Sequence, residues 1–153
     1  MVRIGLISDT HGLLRPEALA ALAGCDHIVH GGDIGGQAIL DQLAAIAPLT
    51  AVRGNNDYQA WAAAVPDTAR VTIGGLNLFA VHDIATIGLD PAAEGIDVVV
   101  YGHSHKPLAE RRGAVLYLNP GSAGPRRFSL PVSVAQLTID KGEIAARIIA
   151  LAV

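Results

Sequence analysis

The chain of 153 residues is poor in three kinds of residue, and each shortage excludes a class of protein. Its single cysteine, Cys25, leaves no intrachain disulfide to hold the fold together. Charged residues make up 16% and hydrophobic residues 51%, which is the opposite of a disordered composition. Aromatic residues make up 4%, so the interleaved basic and aromatic side chains typical of single-stranded nucleic-acid binding are missing.

Long hydrophobic runs and excess positive charge are absent as well. No apolar run reaches the ~20 residues that a helix needs to cross a bilayer. The first twelve residues, MVRIGLISDTHG, have too short an apolar stretch for a secretory signal and lack a small-residue cleavage site. The net charge is −3, so broad electrostatic attraction to nucleic acid is not expected. We therefore expect a cytoplasmic protein with no membrane span and no nucleic-acid partner.

The hydrophobic pattern predicts an α/β fold with a mixed sheet or two stacked sheets, in a single domain over residues 1–153. Helical spacing, with proline or glycine at the boundaries, predicts helices at 16–23, 37–47, 58–64 and 91–95. Short apolar runs predict strands at 2–7, 27–30, 49–53, 70–73, 76–81, 98–101, 114–118, 132–139 and 144–149. Gly74-Gly75 predicts a hairpin turn between two of these strands.

Seven polar residues follow five of the predicted strands directly. In open α/β sheets, ligands bind beyond the carboxyl ends of the strands. Aspartate, asparagine and histidine are also ligand types that borderline divalent metals take. Each residue alone is explained equally well by turn chemistry, but their joint placement indicates a metal site. The seven are Asp9, His11, Asp33, Asn55, His82, His103 and His105.

These segments resemble the motif series of the calcineurin-like metallophosphoesterases. The series is D-T-H-G at 9–12, G-G-D at 31–33, G-N-N-D at 54–57, V-H-D at 81–83 and G-H-S-H at 102–105. The segment N-P-G-S at 119–122 is similar to a motif of the small prokaryotic YfcE-like phosphodiesterases. The resemblance implies a two-layer mixed β-sandwich flanked by helices, with metals at the strand ends.

The resemblance also implies a ligand set for two divalent ions. One ion would be held by Asp9, His11, Asp33 and His105. The other ion would be held by Asp33, Asn55, His82 and His103, so Asp33 would bridge the two ions. Mixed nitrogen and oxygen donors suit Mn²⁺, with Ni²⁺, Fe²⁺, Zn²⁺ or Co²⁺ as alternatives. The hypothesis is that Asp33, Asn55 and His82 are catalytic and that a hydroxide between the ions attacks a small phosphoester in line, most readily a phosphodiester.

Two motif positions depart from the family pattern. Asn56 stands where phosphatases that protonate the leaving group have histidine, which disfavours substrates with poor leaving groups. Asp83 follows His82 where the family usually has glycine, and its carboxylate could bind a third partner or accept a hydrogen bond. Arg126 and Arg127 could hold a phosphate oxygen by paired hydrogen bonds, or form a solvated loop pair.

Three other interpretations are open. A non-catalytic scaffold on the same fold, like the metal-poor retromer subunit that resembles this family, is disfavoured because all seven ligand candidates are present. A nuclease of the same superfamily is disfavoured because such members carry additional domains and because this sequence has no basic stripe with interleaved aromatic residues. Self-association is the third: Tyr58 and Trp61 could form part of a homo-oligomer interface, although a buried helix contact is favoured. His27 and His30 are predicted to be structural.

Overall fold

Two five-stranded β-sheets stack face to face in the computed structural model, which describes residues 1–153. From edge to edge, the first sheet consists of β10 (Glu143–Ala150), β9 (Ser133–Asp140), β1 (Val2–Ile7), β2 (His27–His30) and β3 (Leu49–Ala51). The second consists of β4 (Thr68–Ile73), β5 (Leu76–Val81), β6 (Val98–Val100), β8 (Val115–Asn119) and β7 (Leu108–Arg112). The α/β two-layer sandwich expected from the sequence is confirmed.

Each sheet is mixed, with three parallel strands in a row. In the first sheet β1, β2 and β3 are parallel, and the hairpin of β9 and β10 extends it in the antiparallel sense. In the second sheet β5, β6 and β8 are parallel, with β4 and β7 antiparallel at the edges. The carboxyl ends of parallel strands meet at one edge of a sheet, so both sheets have an edge suited to a ligand site.

The period-two alternation of the strands explains why the core has several layers. Ile4 and Leu6 of β1, with Leu137 of β9, face the second sheet, where they pack with Leu78 and Leu118. All five side chains are at most 2% exposed. The intervening residues of the first sheet point to its other face, so both faces of the central strands are apolar and buried.

Two helices cover the outer face of the first sheet. The helix α1 (Pro16–Leu22) begins with proline at its first turn, and α2 (Gln37–Ala44) presents Ile39, Leu40 and Leu43 to the sheet. Gly5 on β1 lets α1 approach, because a Cβ there would lie 2.6 Å from Leu22 Cδ2. No helix in the structure is long and apolar enough to span a membrane.

Three sequence predictions about local structure were wrong. Residues 91–95 form turns instead of a helix, and the predicted helix at 58–64 is a 3₁₀ helix confined to Ala60–Ala64. The edge strand β7 was missed because its sequence, LAERR, is exposed along its whole length and has no apolar alternation. Trp61 is half-buried and packs against the apolar residues between the first sheet and its helices, in line with the buried contact that was favoured for this pair. Tyr58, in contrast, is 80% exposed.

Candidate metal centre

The carboxyl ends of β1, β2, β5 and β6 bring five of the seven candidate ligands together. His82 Nε2 lies 3.3 Å from Asp33 Oδ2 and 3.9 Å from Asp9 Oδ1. His105 Nε2 lies 3.4 Å from Asp9 Oδ1. His11 Nε2 lies 3.7 Å from Asp33 Oδ2 and 3.8 Å from Asp9 Oδ1. The first sheet therefore contributes both carboxylates, and the second sheet contributes two of the three imidazoles.

The five residues form two overlapping donor sets. Asp9, His11 and His105 are one set, and Asp9, Asp33 and His82 are the other; within each set the ligand atoms lie within 4.8 Å of one another. The carboxylate common to both sets is Asp9, whereas the resemblance implied sharing through Asp33. Asp33 Oδ2 also lies 3.7 Å from Nε2 of His11, which belongs to the first set. Both carboxylates thus lie between histidines.

The other two candidate ligands lie beside this cluster. The His103 ring packs edge-on against His82, with the ring centroids 5.3 Å apart, and its side chain is exposed. Asn55 is exposed, makes no side-chain hydrogen bond and lines the same cavity as His82 and His103. The His103 backbone N–H also donates to Asp9 Oδ2 at 3.2 Å, so its loop is tied to both donor sets.

Unpartnered buried atoms show that the cluster fits a cation. His82 Nδ1 lies 2.7 Å from the Gly31 carbonyl oxygen and donates to it, so the Nε2 lone pair faces the two carboxylates. His82 Nε2 and Asp9 Oδ1 are both buried without a hydrogen-bond partner. Such groups are costly unless an ion satisfies them, and this mixture of nitrogen and oxygen donors suits borderline divalent metals.

The electrostatics of the cluster favour added positive charge. Burial is the main influence on Asp9 and raises the pKa of its carboxyl. Burial works in the same direction on Asp33, but the adjacent His82 imidazole and hydrogen bonds from Asn56 outweigh it and hold the pKa of Asp33 below its usual range. Burial opposes protonation of His82, yet Asp33 and Asp9 outweigh it and raise the pKa of His82. A divalent ion would supply the positive charge that these carboxylates attract.

The backbone at the cluster is left-handed. Aspartate, asparagine and histidine adopt this conformation more readily than other non-glycine residues, and such strain concentrates at functional sites. The loops are fixed by backbone hydrogen bonds: Asp9 N–H donates to the Gly32 carbonyl, and His11 N–H donates to the Asp33 carbonyl. Five of the seven candidate ligands have positive φ: Asp9 (54°), His11 (46°), Asp33 (56°), His103 (74°) and His105 (63°).

Asn56 positions Asp33, a role that the sequence did not reveal. Its backbone N–H donates to Asp33 Oδ1 at 2.9 Å, and its Nδ2 donates to Oδ2 at 3.1 Å. Gly54 is needed alongside, because a Cβ at that position would overlap the Asp33 carboxylate. The residue that replaces the expected histidine therefore holds a candidate ligand in place.

Asp57 is a second supporting residue that the sequence analysis did not identify. Its buried carboxylate accepts hydrogen bonds from the backbone N–H groups of Ile34, Gly35 and Gly54, at 2.9 to 3.1 Å. It thus ties the loop that carries Asn55 to the loop that carries Asp33. The available signal was an aspartate closing a G-N-N-D turn, since aspartates in turns often accept backbone hydrogen bonds.

The segment N-P-G-S supports the loop that carries His103 and His105. Asn119 Nδ2 donates to the Gly102 carbonyl and to Ser104 Oγ, and its Oδ1 accepts from Gly121 N–H. Ser122 Oγ donates to the Asp9 carbonyl. These bonds join the loops after β6 and β8 to the loop after β1.

The two arginines predicted to contact phosphate behave differently. Arg126 is exposed and donates to the Val153 carbonyl, at the end of the chain. Arg127 is also exposed but lies close enough to influence His105. Burial chiefly lowers the pKa of His105; Asp9 opposes this effect, and Arg127 adds to it. Of the two arginines, Arg127 is therefore the one whose charge acts on a residue of the cluster.

His30 is buried and structural, as predicted. Gly32 N–H donates to its Nδ1 at 3.0 Å, which leaves the proton on Nε2 to be donated to Thr10 Oγ1, also at 3.0 Å. Thr10 in turn donates to the Ile34 carbonyl. Burial, reinforced by the charge of His82, lowers the pKa of His30 to about 3.

We predict that His30 makes the protein less stable in acid. The unfolded chain binds a proton at this imidazole below about pH 6.5 and the folded chain only near pH 3, so stability falls as the pH drops through this window. The loss from this residue is about 2 kcal/mol between pH 8 and pH 5. The measurement is denaturant unfolding of metal-free protein. Between pH 8 and pH 5, the free energy of unfolding of His30→Asn should fall by about 2 kcal/mol less than that of the wild type. Equal pH dependence in the two proteins would contradict the prediction.

The fold and the gathered ligands are those expected of a metallophosphoesterase, and comparison with known protein families supports this class. The calcineurin-like phosphoesterase superfamily domain matches residues 2–142, and the chain belongs to this superfamily. The family resemblance inferred from the motifs is confirmed.

Particular relatives cover most of the chain. A probable metallophosphoesterase of Methanocaldococcus jannaschii is 32% identical in an alignment 150 residues long that covers 90% of this chain and 76% of the relative. Phosphodiesterase YfcE of Escherichia coli strain K12 is 29% identical in an alignment 170 residues long, gaps included, that covers 92% of this chain and 89% of YfcE. The crystal structure of Chaetomium thermophilum Vps29 matches with a TM-score of 0.76 at 21% identity, over 99% of this chain and 98% of that one, which shows the shared fold alone.

Proposed function

We propose that the protein is a phosphodiesterase that depends on two divalent metal ions. The observation that carries the proposal is the pair of donor sets that overlap at Asp9, with buried ligand atoms that have no partner. The family is one of metal-dependent phosphoesterases, and relatives named phosphodiesterase support the choice of diesters.

The residues divide between holding the ions and orienting the ligands. Bound ions would neutralise charge on the phosphate and lower the pKa of a water molecule, which supplies the nucleophile. Gly31 orients His82 through its carbonyl, and Asn56 fixes both oxygens of Asp33. We assign the ions to all seven predicted ligands, Asp9, His11, Asp33, Asn55, His82, His103 and His105.

The absence of a proton donor at position 56 shapes the expected substrates. Asn56 cannot protonate a leaving group, and its amide is already bonded to Asp33. A diester with an acidic alcohol or phenol as the leaving group needs no such donor. Arg127, on the His105 side, is a candidate to hold a phosphate oxygen.

The test uses purified protein and a panel of metals. We expect metal-free protein to hydrolyse bis-p-nitrophenyl phosphate once Mn²⁺ is added, with Ni²⁺, Co²⁺, Fe²⁺ and Zn²⁺ as comparisons and Mg²⁺ weaker because it prefers oxygen ligands. Elemental analysis of protein purified without chelator should find two divalent ions per chain. If the protein takes up no metal and hydrolyses no diester, the non-catalytic scaffold becomes the better interpretation.

A further inference from the structure

A cavity of about 360 Å³ opens beside the second donor set. Asn55, His82 and His103 form its inner side, so a phosphoester held at the ions would extend into it. Only one of its ten lining residues, Val81, is hydrophobic. The proposed function does not use this space, which is large enough for an organic group of a diester and accompanying water.

The outer wall of the cavity contains three charged side chains. Arg53 and Asp67 neutralise each other, because Arg53 Nε and Nη2 both donate to Asp67 Oδ1, at 3.1 and 2.9 Å. Asp83 is the third. Its Oδ1 accepts from Ala85 N–H, and its Oδ2 has no hydrogen-bond partner.

Asp83 thus leaves one uncompensated negative charge on the cavity wall. Its backbone is set by His82 on one side and by the turn at Ile84–Thr86 on the other, so the carboxylate is held at the cavity and is only partly exposed. A cationic group in this cavity is attracted and an anionic group is repelled. Thr68 adds a hydroxyl group that can bond to a polar substrate, and the Thr86 hydroxyl, which donates to the Asp83 carbonyl oxygen, can still accept a hydrogen bond.

We infer that this cavity binds the retained alcohol of the diester, which is the alcohol that stays on the phosphate after hydrolysis, and that Asp83 selects for a cationic alcohol. This inference rests on the proposed function. The chemical class is a phosphodiester of an amino alcohol, with its positive charge near Asp83. Neutral polar alcohols are accepted less well, and alcohols ending in a carboxylate are rejected.

The experiment compares three diesters that release the same p-nitrophenol. Their retained alcohols are choline, ethanol and 3-hydroxypropionate, which are cationic, neutral and anionic respectively. We expect kcat/KM to fall in that order, by about fivefold to tenfold at each step, as expected for one charge interaction at a partly exposed site. Asp83→Asn should reduce each step to less than twofold while all three diesters remain substrates.

Asp90→Asn is the matched control. Asp90 also accepts from the N–H two residues ahead, that of Ala92, but it lies outside the cavity lining, so this variant should keep the wild-type order. As a binding readout, phosphocholine should shift the Ala85 amide resonance of zinc-loaded protein more than ethyl phosphate does.

The possible failures are distinct. If the wild-type enzyme hydrolyses all three diesters equally and Asp83→Asn changes nothing, the cavity inference is wrong and the phosphodiesterase proposal stands. If no diester is hydrolysed with any metal, the proposed function itself fails.

Discussion

Replacing Asp33 should abolish phosphodiester hydrolysis. Asp33→Asn and Asp33→Ala should each lower kcat/KM for bis-p-nitrophenyl phosphate to less than about one-thousandth of the wild-type value. The reason is that Asp33 lies 3.3 Å from His82 and 3.7 Å from His11, so its loss removes negative charge from between two of the imidazoles. Elemental analysis of the variants should find fewer than two divalent ions per chain.

Asn is the informative replacement, because it keeps the shape of the side chain and tolerates the φ of 56° at this position. Asp41→Asn, on the exposed face of α2, is the control and should retain full turnover and metal content. Unchanged turnover in both Asp33 variants would overturn the two-metal mechanism.

Removing the Asp57 carboxylate should cause the largest loss of stability among the substitutions considered. Asp57→Ala leaves three backbone N–H groups without an acceptor: those of Ile34 and Gly54, which are buried, and that of Gly35, which is exposed. We expect the free energy of unfolding to fall by about 3–5 kcal/mol, measured by urea denaturation. Metal affinity should fall as well, because the two tied loops carry Asn55 and Asp33.

Two variants distinguish this explanation from a general effect of losing an aspartate. Asp57→Asn keeps one acceptor oxygen and should lose about half as much stability. Asp26→Ala removes an exposed carboxylate that accepts one backbone N–H, from Arg3, and should cost no more than about 1 kcal/mol. A similar loss in Asp26→Ala and Asp57→Ala would contradict the role assigned to Asp57.

The sequence predicted the fold well where apolar alternation was strong. The buried strands β1, β2 and β5 have the predicted bounds because both of their faces are covered, so their boundaries coincide with the change to polar residues. The edge strand β7 has no such contrast, since all of its residues are exposed. Its pairing with β8 is a tertiary contact that no local pattern predicts.

The gathering of five of the seven candidate ligands was predictable because each is a metal-binding residue type at a strand end. Their supporting partners were not, because each support acts across a long sequence separation. Asn56 and Asp57 bind groups more than twenty residues away, and Ser122 binds the Asp9 carbonyl 113 residues away. The sequence pattern also could not show that Asp9 is the carboxylate common to the two sets. That depends on the distances between side chains of the two sheets, which the pattern does not contain.

The left-handed conformation of the loops restricts how this centre can change by mutation. At Asp9, His11, Asp33, His103 and His105, branched or bulky replacements would clash with their own backbone, whereas asparagine and glycine would not. Substitutions that keep the fold are therefore drawn from a short set, and asparagine keeps an oxygen that can still face an ion. A relative with asparagine or glycine at these positions should therefore keep the fold while offering fewer donor atoms to a metal ion.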